Sequence, residues 1–139
     1  MIATKTIRLQ TKGNNDVIDI TDFVAAEVAA TGVKEGIVAI FVVGSTAGIT
    51  TLEYEPGLVA DLKDAFDRLV PRSMPYRHNS TWNEDNGHSH VRASLLGPSL
   101  SVPLIRGRLP LGTWQQIVLV DFDNRPRDRR LVVTVQDAG

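Results

Sequence analysis

The chain has 139 residues, 42% apolar and 22% charged, values of an ordinary globular domain that exclude wholesale disorder. A net charge of −1 excludes a chain-wide basic footprint for nucleic acid or an anionic membrane. The lack of cysteine excludes disulfides, thiolate metal sites and thiol nucleophiles.

This length predicts one domain, residues 1–139, large enough to bury a core without covalent staples. Met1 to Lys5 carries no signal-peptide pattern, and no apolar run approaches the ~20 residues of a membrane span, so the expected location is the cytoplasm. From Thr4 to Lys12 apolar Ile7 and Leu9 alternate with polar residues, predicting a half-buried strand. Gly13-Asn14-Asn15-Asp16 predicts a hairpin turn, with Val17 to Ile20 as the returning strand. Thr21 or Asp22 is expected to cap a helix that carries Phe23, Val24 and Val28 and ends at Thr31-Gly32. Ile37 to Val43 is apolar on both sides, the pattern of a central strand covered on both faces.

Gly44-Ser45-Thr46-Ala47-Gly48 interrupts that strand, and Ile49 to Glu55 resumes extended character. Pro56-Gly57 opens a helix in which Leu58, Leu62, Ala65, Phe66 and Leu69 fall at helical spacing, and Pro71 closes it. Arg72 to Glu84 reads as a long loop, of the kind that is usually functional or mobile. Val91 to Leu96 predicts a short helix, and Leu100–Ile105, Thr113–Phe122 and Arg130–Val135 predict three strands. The sum is an α+β domain of seven or eight mostly antiparallel strands and two main helices.

Groups able to do chemistry collect in Asn83 to Ser94, which holds two of the three histidines with Asp85, Asn86 and Arg92. His88 and His90 are two apart: an extended backbone places both rings on one face, as a metal requires, and a helix splays them. With Asp85 or Glu53 as a third ligand, such a pair suits Zn²⁺ or another divalent ion such as Mg²⁺. The same imidazoles suit proton transfer near neutral pH, or serve only as hydrogen-bonded loop residues. His78 can reach the same pocket or lie in solvent. Ser45 and Thr46 lie in a small-residue turn fit either to bind an anion through amides and hydroxyls or to make a tight bend. Thr113 and Gln115 project together, opposite Trp114, and are candidates to line a pocket. Arg125, Arg127, Arg129 and Arg130 read as a solvated hairpin tip.

These pieces resemble the YjbQ family, also called secondary thiamine-phosphate synthase enzymes. The match runs from Ser45-Thr46-Ala47-Gly48-Ile49-Thr50 with Glu53 through Tyr76, His78-Asn79 and Asn86-Gly87-His88-Ser89-His90. It continues with Ala93 to Gly97, Val102-Pro103 and Leu111-Gly112-Thr113-Trp114-Gln115. The resemblance implies a β-sandwich with helices, a homotrimer, and an activity joining hydroxymethylpyrimidine diphosphate to a thiazole phosphate. A small phosphorylated metabolite is then the expected partner. His90, Asp85, Glu53 and His78 are the expected catalytic groups, Ser45, Thr46, Asn86, Thr113 and Gln115 the substrate-binding ones, and His88 with His90 the metal pair. A metal-dependent phosphate-ester hydrolase and a non-catalytic metabolite-binding trimer are the alternatives. Many relatives carry a histidine where this chain has Gly44, so any role of that residue is absent here or taken by another, such as His88.

Overall fold

The computed structural model describes residues 1–139. In chain order the elements are β1 (Ile2–Thr11), β2 (Asp16–Asp19), α1 (Thr21–Thr31), β3 (Gly36–Val43), β4 (Ala47–Leu52), α2 (Pro56–Leu69), α3 (Arg77–Trp82), α4 (Gly87–Leu96), β5 (Ser99–Leu104), β6 (Gln116–Asp121) and β7 (Arg127–Asp137). They form a four-stranded sheet, β1-β7-β3-β5, and a three-stranded sheet, β2-β6-β4, with every pairing antiparallel. The α+β reading therefore holds, as does the antiparallel character.

The two sheets face each other across the main core. Ile7, Val38, Ile40, Leu131 and Val133 come from one sheet and Ile49 and Leu119 from the other, while Val24 and Val28 of α1 pack into the same cluster. Each such side chain contributes about 1.5–3 kcal/mol when fully buried. A second cluster lies on the other face of the three-stranded sheet. There Val118, Val120 and Phe122 meet Phe66 of α2 and Ala93 of α4, with the Phe66 and Phe122 rings edge to face at 4.8 Å. The order of layers is sheet, sheet, helices.

Several elements depart from the sequence expectation. β1 pairs with β7, from Ile2 opposite Gln136 to Thr11 opposite Arg127, whereas β2 pairs with β6. Gly13-Asn14-Asn15 is thus a crossing between sheets, not a hairpin. Its left-handed backbone (φ 77°, 54° and 63°) suits Gly and Asn, and a Cβ at Gly13 would lie 2.5 Å from the Arg125 carbonyl oxygen. Thr21 does not cap α1: its hydroxyl accepts from the Ile117 amide at 2.9 Å and ties the helix start to β6. The cap of α2 is Glu55, whose carboxylate accepts from the Gly57 and Leu58 amides at 2.7 and 2.6 Å. β3 is covered on one face only, because no layer packs outside the four-stranded sheet, and Ile37, Phe41 and Val43 remain exposed. No helix is long and apolar enough to cross a membrane.

Two corrections reach the site directly. The expected loop from Arg72 to Glu84 contains α3, and the helix expected from Val91 begins at Gly87. Both histidines of the H-x-H pair are therefore helical.

Candidate functional site

At the end of the sandwich where β3 leaves off and β4 begins, the interior turns from apolar to charged. β6 runs Ile117 to Val120 without a polar residue and then delivers Asp121 and, two positions on, Asp123, both completely buried. Arg129 of β7 grips Asp121 with two hydrogen bonds, from Nε at 2.6 Å and Nη2 at 2.8 Å, and Thr11 Oγ1 donates to it at 2.6 Å. Asp123 accepts from Arg127 Nε at 2.8 Å, Thr46 Oγ1 at 3.0 Å and Asn86 Nδ2 at 3.3 Å. Burial alone would raise the Asp123 carboxyl. Bonds from the Asn124 amide, Arg127, Thr46 and Asn86 outweigh it and hold the group below the usual carboxylate range. The network joins the β3–β4 turn, the start of α4 and the β6–β7 connection.

Asn86 precedes α4, and its carbonyl accepts from the His90 amide at 3.3 Å. His90 then projects toward α3, where its ring meets that of His78 with centroids 4.3 Å apart. Gly87 makes this approach possible. A Cβ there would lie 2.4 Å from Tyr76 Cβ, and Asn79 Oδ1 accepts from the Gly87 amide at 2.8 Å. Desolvation and then the neighbouring His78 push His90 below the ordinary imidazole value of 6.5, so it is neutral at pH 7. His78 Nε2 and Asn86 Oδ1 are buried with no partner in the chain, two polar atoms left to meet a ligand or solvent. Beside them Glu84, Asp85, Asn86, Asn124, Arg125 and Arg127 line an open recess of 270 Å³ with no hydrophobic lining.

The expected metal pair does not form. Two residues apart on a helix means ~200° of rotation, so His88 leaves α4 on the side away from His90. It is buried, 2% exposed, among Asn14, Asn15, Asp67, Arg72 and Arg92. No group of three or more histidine, cysteine or acidic side chains in the chain is placed to share an ion. The chain's own side chains thus do not assemble the three- or four-ligand set that Zn²⁺ takes.

The remaining candidates divide. Ser45, Thr46, Asn86, His78 and His90 gather at the Asp123 end. Asp85 lies on the recess, yet its carboxylate is paired with Arg72 Nη2 at 2.8 Å, whose hydrogen bond and charge lower its pKa. The Thr46 hydroxyl is fully engaged, donating to Asp123 and accepting from Arg129 Nη2 at 2.7 Å, so it supports the site instead of contacting a substrate. Glu53, Thr113 and Gln115 lie toward the opposite end of β4 from Thr46. Six-residue β4 separates Thr46 from Glu53 by roughly 20 Å, and Gln115 Nε2 donates to Thr51 near that far end, at 3.2 Å. Thr113 to Gln115 also precede β6, which begins only at Gln116.

The reading of a solvated arginine tip fits Arg125 and Arg130, which are exposed, and fails for Arg129 and half-buried Arg127. A usable signal was present: Asp121, Asp123, Arg127 and Arg129 are pairs of charges at strand spacing, and the acidic pair continues an unbroken buried run.

Buried His88 and half-buried His90 predict a pH dependence of stability. Desolvation first, then the Arg92 and Arg72 charges, lower His88, and desolvation with His78 lowers His90. Between the lowered folded values and the unfolded 6.5, the unfolded chain binds more protons, so stability rises with pH in that window. The contribution is complete above pH 6.5 and is lost as pH falls through the folded values. Urea unfolding at successive pH values is expected to show this loss in the native chain and a shallower one in His88→Asn; a flat native profile would contradict neutral burial.

Comparison with known proteins agrees with the fold. Residues 5–138 match the family model described as UPF0047 protein YjbQ-like. A UPF0047 protein of Methanothermobacter thermautotrophicus is 37% identical over 134 residues, covering 96% of this chain and 92% of its own. The UPF0047 protein YugU of Bacillus subtilis is 36% identical, covering 90% and 92%. The crystal structure of a YbjQ-like protein from Sulfolobus solfataricus superposes with a TM-score of 0.93 at 34% identity, covering 99% of this chain and 98% of that one. This chain belongs to the YjbQ/UPF0047 family.

Proposed function

We propose that the chain is an acid–base enzyme acting on a small phosphorylated metabolite at the Asp123 end of the sandwich. The observation that carries this reading is the contact between His78 and His90, rings 4.3 Å apart, beside a recess lined by Arg125, Arg127 and Asn86. A neutral imidazole is able to accept a proton at pH 7, and the neighbouring His78 ring, which disfavours the charged form, favours passing that proton on. Arg125 and Arg127 supply fixed positive charge for phosphate oxygens, and Asn86 Oδ1 is an unused acceptor.

The finer reading is the transfer implied by the family resemblance. The thiazole nitrogen lone pair forms a bond to the pyrimidine methylene carbon as that carbon's bond to oxygen breaks. The bonding electrons leave on diphosphate. In this chain the arginines meet the charge developing on diphosphate, and an imidazole N–H donates a hydrogen bond to it. A metal-dependent phosphate-ester hydrolase would draw on the same pair of rings but needs donors from beyond this chain. Incubation with both substrates followed by mass spectrometry tests the proposal. Coupled product is expected; saturable binding without any product would support the metabolite-binding alternative instead.

Assembly as a homotrimer belongs to the same proposal. The exposed β3 face carrying Ile37, Phe41 and Val43 supports it, since apolar strands left uncovered are commonly interfaces. Sedimentation is expected to give trimers for the native chain and smaller species for Phe41→Glu; a native monomer would contradict the trimer.

A further inference from the structure

We infer that the turn Gly44-Ser45-Thr46, together with Arg129, is a seat for a phosphate-like oxyanion. The inference rests on the reading above and deepens it by naming the group that holds the substrate.

The turn connects β3 to β4, and its amides are idle: none of the Gly44, Ser45 and Thr46 N–H groups has an acceptor within the chain. The one backbone bond made by the segment is the Thr46 carbonyl accepting from the Phe122 amide at 2.9 Å. The Ser45 hydroxyl is exposed and likewise makes no bond within the chain. Behind the turn lies the Arg129 guanidinium, 7% exposed. Its Nε and Nη2 are committed to Asp121 and Thr46, and its Nη1 donates to nothing in the chain.

Gly44 joins these two sets of donors. Its φ of 133° is a conformation side chains disfavour, and a Cβ there would lie 2.7 Å from Arg129 Nη1. The missing side chain is what leaves Nη1 facing the turn. Donors with no partner in the chain, set beside a guanidinium, are free to meet an anion, and consecutive amides in a tight turn can form an anion-binding concavity. Lysine is absent from the turn, but a pre-oriented guanidinium supplies the positive charge and does so with fixed direction.

Of the nearby carboxylates, Asp121 and Asp123 are already paired. Asp121 is bound to Arg129 and Asp123 to Arg127, while Arg8 and Arg130, exposed neighbours in register across β1 and β7, carry no ion pair. Exposed Asp128, which lines a recess with Arg8 and Arg129, offsets part of that charge. Amide, hydroxyl and guanidinium donors together offer more hydrogen bonds than a flat carboxylate uses, which favours an oxyanion such as phosphate.

The test is a titration of the intact protein with inorganic phosphate and, separately, acetate, followed by NMR of backbone amides and arginine side chains. Phosphate is expected to shift Arg129 Nη1 and the Ser45 and Thr46 amides in one saturable step, at least tenfold tighter than acetate. Gly44→Ala is expected to weaken phosphate by tenfold or more. Because that variant strains the turn, Ser45→Ala is the second arm, losing about fivefold with the fold undisturbed. Shifts confined to Arg125 and Arg127, no saturable response, or acetate binding as well as phosphate would each overturn the seat. Loss of turnover in His90→Asn with a silent Arg129 rejects the seat and keeps the acid–base site. A responding Arg129 with unaffected turnover in His90→Asn rejects that site alone.

Discussion

Replacing Arg129 with methionine is expected to destabilise the chain by about 3–5 kcal/mol, the range for breaking a buried ion pair by removing one partner. The magnitude follows from what is left behind. Asp121 is completely buried, and without the guanidinium it keeps only the Thr11 hydroxyl and the Asp123 amide, which donates to it at 3.0 Å. Thr46 loses its donor in the same step. For a domain of this size the loss corresponds to a fall in melting temperature of roughly 10–20 °C. The cause is the stranded charge, so the double variant Arg129→Met/Asp121→Leu is expected to recover much of it. Urea unfolding of the set decides the matter: a single variant within 1 kcal/mol of the native chain would show that the pair does not organise this end of the sandwich.

The second large effect concerns turnover. His90→Asn is expected to slow product formation by about 10²–10⁴-fold, the usual contribution of a positioned acid–base group. His88→Asn is expected to leave the rate within a few-fold, since that ring leaves α4 on the other side and lies among Arg72, Arg92 and Asn15. The contrast between two histidines two positions apart separates chemistry from stability. Equal losses in both variants would point to a shared structural role and against His90 as the proton carrier.

Elements whose side chains announce their own environment were legible in the sequence. α2 has helical apolar spacing, a proline in its first turn and charges on the opposite face, and it forms at the expected residues. α3 and the first turn of α4 lack that signal. Gly87, His88 and Ser89 are buried, yet by helix contacts and polar neighbours instead of an apolar stripe. Period-two alternation found β1 but not its partner, because alternation sets the face of a strand and not which neighbour it bonds.

The site divides along the same line. His78, Asn86, His90 and Ser45 were readable as polar groups concentrated near breaks in regular structure. Asp121 and Arg129 were readable only as charges at strand spacing: their burial depends on finding each other, and an arginine run looks solvated until its partner is placed. Glu53, Thr113 and Gln115 lie away from the other candidates for a geometric reason: sequence order within a family motif says nothing about which end of a strand a residue occupies.

The most direct test of the central claim is histidine-ring NMR of the native chain during titration with thiazole phosphate. The account predicts that the His78 and His90 resonances move together and saturate while those of His88 stay in place. Movement of His88 alone, or saturable binding that leaves all three rings unchanged, would contradict it.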